Sequence, residues 1–132
     1  MSRIFIDTGF VIALINDNDF YHAKALQLAE RFSAYPAVIT DAVLFEIGNA
    51  LSRIAKQQAV DIINYFKESH EVSIVFVDSL LFDKGLAQYG RYEDKTWGLV
   101  DCISFVVMQE QKITDVLTFD KHFSQAGFTI LE

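Results

Sequence analysis

Residues 3–15, RIFIDTGFVIALI, form an apolar run broken by one acid, Asp7, with Arg3 the other ionisable residue in the stretch. Arg3–Ile6 reads as a short buried strand, Thr8 and Gly9 punctuate the run, and an apolar helical pattern starts at Phe10. A carboxylate therefore stands where a buried strand gives way to a buried helix. Asp is a good helix N-cap, because its oxygen accepts from the free N–H groups of the first turn. The alternative is that Asp7 is one of several acids converging on one edge.

The same alternation continues outward. A helix over 9–16 is followed by the turn NDND (16–19), then by a helix over 21–32 with Ala25, Leu28, Ala29 and Phe32 at helical spacing. AVIT (37–40) reads as a strand, and Asp41 as the cap of a helix whose face is Leu44, Ile47, Leu51 and Ile54. A helix over about 57–68, the strand VSIVFV (72–77) and a helix that follows Asp78 and Ser79 and continues to about Tyr89 come next. Beyond the polar loop GRYEDKTWG (90–98), LVDCISFVVMQEQ (99–111) predicts a buried helix, and DVLTF (115–119) and FTIL (128–131) the last strands. Strands alternating with helices predict an α/β fold, three-layer α/β/α, with a mostly parallel central sheet of four to five strands. No linker or repeat divides the chain, so one domain over 1–132 is expected.

Composition narrows the function classes. The chain is 52% hydrophobic and 22% charged, with 12 Phe and one Pro, which marks a packed domain rather than a disordered segment. A single cysteine, Cys102, excludes an internal disulfide and points to a reducing compartment. No apolar run has the length of a membrane span, and Asp7 interrupts what would be a signal peptide's apolar region, so a cytoplasmic protein without a membrane partner is expected. The net charge of −7 weighs against a binder that relies on a basic face. It does not weigh against an enzyme whose bound divalent cations supply local positive charge.

Four carboxylates fall where a carboxylate is expensive. Asp7 ends the first strand, and Asp120 ends the DVLTF strand on the same sheet edge. Asp101 lies in the first turn of the most apolar helix, on the stripe of Phe105 and Met108, and Glu46 flanks a buried helical face one turn in. Each alone has an ordinary reading as cap, solvated flank or turn residue. Asp101 is the exception, since a lone acid beside Leu99, Val100, Cys102 and Ile103 costs on the order of several kcal/mol unless paired or metal-bound. Four converging acids repel one another and push up the pKa of one or more of them, and Mg²⁺ or Mn²⁺ with oxygen ligands is the common remedy.

Together FIDTGFVIALI, LFEIGNAL, DKTWGLVDCISFVVM and DVLTFDKHFSQAGF resemble a PIN domain, specifically the small free-standing VapC-type toxins of bacterial toxin–antitoxin pairs. The resemblance runs from the first strand to the last. It implies that the family's acidic quartet falls on Asp7, Glu46, Asp101 and Asp120, as catalytic residues and as ligands of Mg²⁺ or Mn²⁺. It further implies a metal-dependent endoribonuclease that leaves 5′-phosphate and 3′-hydroxyl ends on its RNA substrate, a cognate antitoxin protein and a homodimer. One departure is that close relatives often carry Ser or Thr around WGLVDC, whereas Gly98 and Val100 lack a hydroxyl. A hydrogen bond to Asp101 is then expected from Ser104, Thr8 or Thr118.

Other residues have two readings each. Asp94 is a fifth acid of the site or an exposed loop residue. His22, His70 and His122 have no zinc-like spacing, and His122 is an RNA contact or a surface residue. Trp97 with Tyr92 offers a base-stacking face, or Trp97 folds onto the core. Arg53, Lys56, Arg91, Lys95 and Lys121 are candidate phosphate contacts or solvated charges. Two rival functions share the fold: a receiver-like signalling domain with Asp78 as phosphoacceptor, and a catalytically silent binding module. Against the first, Thr8 rather than a second acid follows Asp7.

Overall fold

The computed structural model describes residues 2–132. Strand β1 (Ile4–Ile6) lies at the centre of a five-stranded, all-parallel sheet. It pairs on one side with β2 (Ala37–Thr40), which carries β3 (Val72–Val75) at the edge. On the other side it pairs with β4 (Asp115–Leu117), which carries β5 (Thr129–Ile130). Side chains alternate across a strand, so Ile4 and Ile6 face one layer and Phe5 the other, each into a core. A parallel strand covered on both faces reads as an unbroken apolar run, which is why IFI and AVIT show no polar alternation.

The first layer holds α1 (Thr8–Ile15), α2 (His22–Arg31), α3 (Asp41–Leu51) and α4 (Lys56–Glu68). The second holds α5 (Ser79–Arg91), α6 (Leu99–Glu110) and the short α7 (His122–Gln125). Helix α6 buries every residue from Cys102 to Met108, including polar Ser104, and is apolar almost all round, as expected of a helix sunk between a sheet and another helix. Helix α5 approaches α6 closely at Gly85, where an added Cβ would stand 2.5 Å from Ile103 Cγ1. Helix α6 stops in a Schellman arrangement: Ile113 N–H donates to Met108 O, Lys112 N–H to Gln109 O, and Lys112 takes the left-handed conformation at φ 58°.

Three local expectations are corrected. Thr40, not Asp41, caps α3, accepting from Val43 N–H at 3.1 Å, while Asp41 Oδ1 accepts from Val77 N–H across the sheet edge. The strands expected at 72–77 and 115–119 end at Val75 and Leu117. Helix α7 was not expected, because four residues are too few to show a helical period.

Candidate active site

From β1 the sheet grows in opposite directions, toward β2 and toward β4, and ligands of open parallel sheets settle at such a switch, beyond the carboxyl ends of the strands. Ile6 pairs with Leu117, so the residues that follow these strands emerge together. They are Asp7 and the Thr118–Asp120 segment. A hollow of about 640 Å³ opens there, lined by Asp7, Thr8, Glu46, Asn49, Asp101 and Asp120 among others. All four expected acids line it, and no Lys or Arg does.

Asp7 occupies the N-cap position of α1 yet makes no capping hydrogen bond. Its Oδ2 accepts instead from Thr118 Oγ1 at 2.7 Å. With 5% of its surface exposed, its pKa is pushed up to about 7. Burial is the main cause, the Thr118 hydroxyl opposes it, and the charges of Asp101 and Glu46 add to it. Glu46, half-buried on α3, accepts from Thr8 Oγ1 at 2.5 Å, and burial followed by the Asp101 charge raises its pKa too. Asp101 reaches back from the first turn of α6 to accept from Gly98 N–H at 3.2 Å. Burial, and then the Asp101 charge, push the neighbouring Cys102 thiol up to about 11, which keeps it protonated at neutral pH.

His122 completes the cluster and was not expected in it. Its Nδ1 lies 3.1 Å from Asp101 Oδ2 and 3.3 Å from Asp120 Oδ2, and its Nε2 is 3.3 Å from Thr96 Oγ1. Asp120, His122 and Asp101 offer ligating atoms that all lie within 4.8 Å of one another. The sequence signal was the Asp-Lys-His spacing: Asp120 Oδ1 accepts from His122 N–H at 2.9 Å, and this turn starts α7 and swings the imidazole back over the acids. Buried Asp7, three further carboxylates and no Lys or Arg in the lining make an oxygen-rich, negatively charged cradle. That donor chemistry fits Mg²⁺ or Mn²⁺, with the imidazole a ligand better suited to the latter.

The expected hydroxyl partners of Asp101 went elsewhere. Thr118 serves Asp7, Thr8 serves Glu46, and the Ser104 hydroxyl is buried without a hydrogen-bond partner. Asp94 stays outside the hollow, exposed and paired with Lys95 at 3.4 Å. Trp97 packs edge-on against Phe105 and donates to Gln125 Oε1 at 3.0 Å, so it belongs to the core. His22 sits 2.8 Å from Ala13 O, tying α2 to α1. Asp78 caps α5 through Leu81 N–H, which removes the receiver reading's phosphoacceptor. Arg53, Lys56, Arg91, Lys95 and Lys121 are all exposed.

Comparison with known proteins agrees with this geometry. Residues 4–129 match the PIN domain family. A protein named 23S rRNA-specific endonuclease VapC20, from two Mycobacterium tuberculosis strains, is 32% identical over 126 residues, 95% of each chain. The crystal structure of M. tuberculosis VapC20, described as a Sarcin-Ricin loop cleaving toxin, superposes with a TM-score of 0.83 at 29% identity over 96% of both chains. The chain belongs to the PIN-domain family and is of its VapC type.

Proposed function

We propose that this protein is the toxin of a toxin–antitoxin pair, a metal-dependent endoribonuclease acting at the hollow of Asp7, Glu46, Asp101 and Asp120. The observation that carries the reading is the convergence of four carboxylates, one of them almost fully buried, in a lining without a cationic side chain. Asp101 and Asp120, with Asp7 and Glu46 behind them, would hold Mg²⁺ or Mn²⁺. Bound there, the ion lowers the pKa of a water and stabilises negative charge on the phosphate. The side chains do the rest. Thr118, Thr8 and the Gly98 N–H fix the carboxylates they bond, so that the acids do not rearrange as charge develops. A carboxylate takes a proton from the attacking water. Water oxygen bonds to phosphorus in line as the bond to O3′ breaks, and O3′ takes a proton from solvent water, leaving a 5′-phosphate and a 3′-hydroxyl.

The substrate proposed is an RNA, and ribosomal RNA is the first to test because the M. tuberculosis relative is named for its action on 23S rRNA. The partner proposed is an antitoxin whose tail inserts an Arg or Lys into the acidic hollow, since a guanidinium pairs bidentately with carboxylates that would otherwise hold the ion. Self-association into a homodimer is supported by the exposed stripe of Phe82, Leu86 and Tyr89 on α5. The deciding experiment incubates ribosomal RNA with the protein in Mg²⁺ or Mn²⁺ and in chelator. Cleavage with metal, none in chelator, and a loss of at least about 10²-fold in Asp101→Asn are expected. Wild-type rates in Asp101→Asn would refute the site.

A further inference from the structure

Four aromatic rings lead from the core to the surface beside the acids. Phe10, buried on α1, lies 6.1 Å from Phe119. Phe119 is stacked on Tyr21, centroids 4.4 Å apart and planes 5° from parallel, and Phe20 meets Tyr21 edge-on at 4.9 Å. Exposure rises to 43% at Tyr21 and 91% at Phe20. Phe20 is not on a loose tip, because the turn that presents it is bonded from Asp19 N–H to Asn16 O and from Tyr21 N–H to Asp19 Oδ1. Tyr21 and Phe119 line a second hollow of about 360 Å³ with Lys24, Thr118 and Lys121. Neither lysine is within ion-pair distance of a carboxylate among the described residues, and Glu132 is the one acid in the lining.

We infer that this shelf is a nucleotide subsite, with Tyr21 and Phe20 stacking an unpaired base of a single-stranded RNA segment and Lys24 and Lys121 meeting its phosphates. Every base has a π face, so rings interleaved with cations bind single strands with little regard to sequence. The acidic hollow has no Lys or Arg in its lining, whereas this one places two lysines beside the aromatic ladder, and their charge complements a phosphodiester backbone. The shelf adjoins the candidate centre through the segment Thr118–Asp120, whose residues line one hollow or the other. Phe119 lies between Thr118, which bonds Asp7, and Asp120, so a base held here places its strand next to the acids. The inference rests on the proposed ribonuclease activity but is read separately from it.

The probe is a short single-stranded RNA carrying 2-aminopurine, mixed with the protein in chelator, with steady-state cleavage of ribosomal RNA in Mg²⁺ measured alongside. Wild type should quench the fluorophore. Phe20→Ala, fully on the surface, and Tyr21→Ala should weaken binding and raise KM about tenfold with kcat within twofold, while Tyr21→Trp retains both. The Lys24→Ala/Lys121→Ala double variant should lower the slope of log affinity against log salt by about 1.4, since each phosphate contact on a single strand contributes about 0.7. Unchanged KM and unchanged quenching in Phe20→Ala and Tyr21→Ala overturn the subsite, and leave the shelf to a protein segment such as an antitoxin tail. If wild type binds through the shelf yet cleaves no RNA with either metal, the ribonuclease reading falls and the shelf stands as a single-strand site.

Discussion

Thr118 Oγ1 donates to Asp7 Oδ2 at 2.7 Å and, through the same oxygen, accepts from Asp120 N–H at 3.0 Å. One buried hydroxyl thus couples an acid after β1 to an acid after β4. Thr118→Val keeps the shape and removes both bonds, leaving a buried carboxylate and a backbone donor without their partner. Unfolding free energy should fall by about 1–3 kcal/mol. Mn²⁺ affinity, read by calorimetry, should fall with it as Asp7 loses its orientation. A Val variant as stable as wild type would mean that water replaces the hydroxyl at both atoms.

Ser104 makes the opposite case. Its hydroxyl is buried in α6 with no hydrogen-bond partner, so it carries a desolvation cost that nothing in its surroundings offsets. Ser104→Ala should raise the unfolding free energy by an amount on the order of 1 kcal/mol, read as a higher denaturant midpoint with the slope of the transition unchanged. A lower midpoint would reveal a buried water that the serine holds.

Such long-range partnerships mark the limit of what the sequence discloses. The strands were legible because covered parallel strands are continuous apolar runs, and the acids because charge beside Ile4–Ile6 or Leu99–Ile103 is costly wherever the chain goes. Which oxygen meets which N–H is different. Thr118 and Asp7 are 111 positions apart, and Asp41 passes over its own helix to reach Val77. Helical caps failed for that reason: local chemistry nominated Asp7 and Asp41, and tertiary contacts claimed both. His122 was passed over because zinc-like spacing was sought along the chain, whereas a four-residue helix delivers it to Asp101 on α6 and to Asp120 in its own leading turn.

His122 should then matter to metal choice. Imidazole suits Mn²⁺ better than Mg²⁺, and Nδ1 already lies 3.1 Å from Asp101 Oδ2 and 3.3 Å from Asp120 Oδ2. His122→Ala should weaken Mn²⁺ binding several-fold more than Mg²⁺ binding in calorimetric titrations. Equal losses for the two ions would mean that His122 acts by orienting Asp101 and not as a ligand.

Asp7 sets the pH dependence of the metal-free protein. Its carboxyl titrates near 3.8 in an unstructured chain and near 7 in the fold, raised mainly by burial. Below pH about 4 both states hold the proton, and Asp7 contributes nothing to the balance. Between pH about 4 and 7 the unfolded chain ionises while the folded one stays protonated. Stability is therefore lost as pH rises through this window and levels off above the folded value. The gap corresponds to at most about 4 kcal/mol, with relaxation reducing it. Asp7→Asn, which keeps the acceptor for Thr118, removes this slope. In chelator the variant should melt above wild type at pH 8 and converge with it near pH 4. Mn²⁺ reverses the order at pH 8, since binding to the folded state stabilises wild type and has little purchase on the variant. An Asn variant that melts lower than wild type in chelator at pH 8 would mean that the charge of Asp7 is already neutralised within the protein, and that the hollow has no need of an ion.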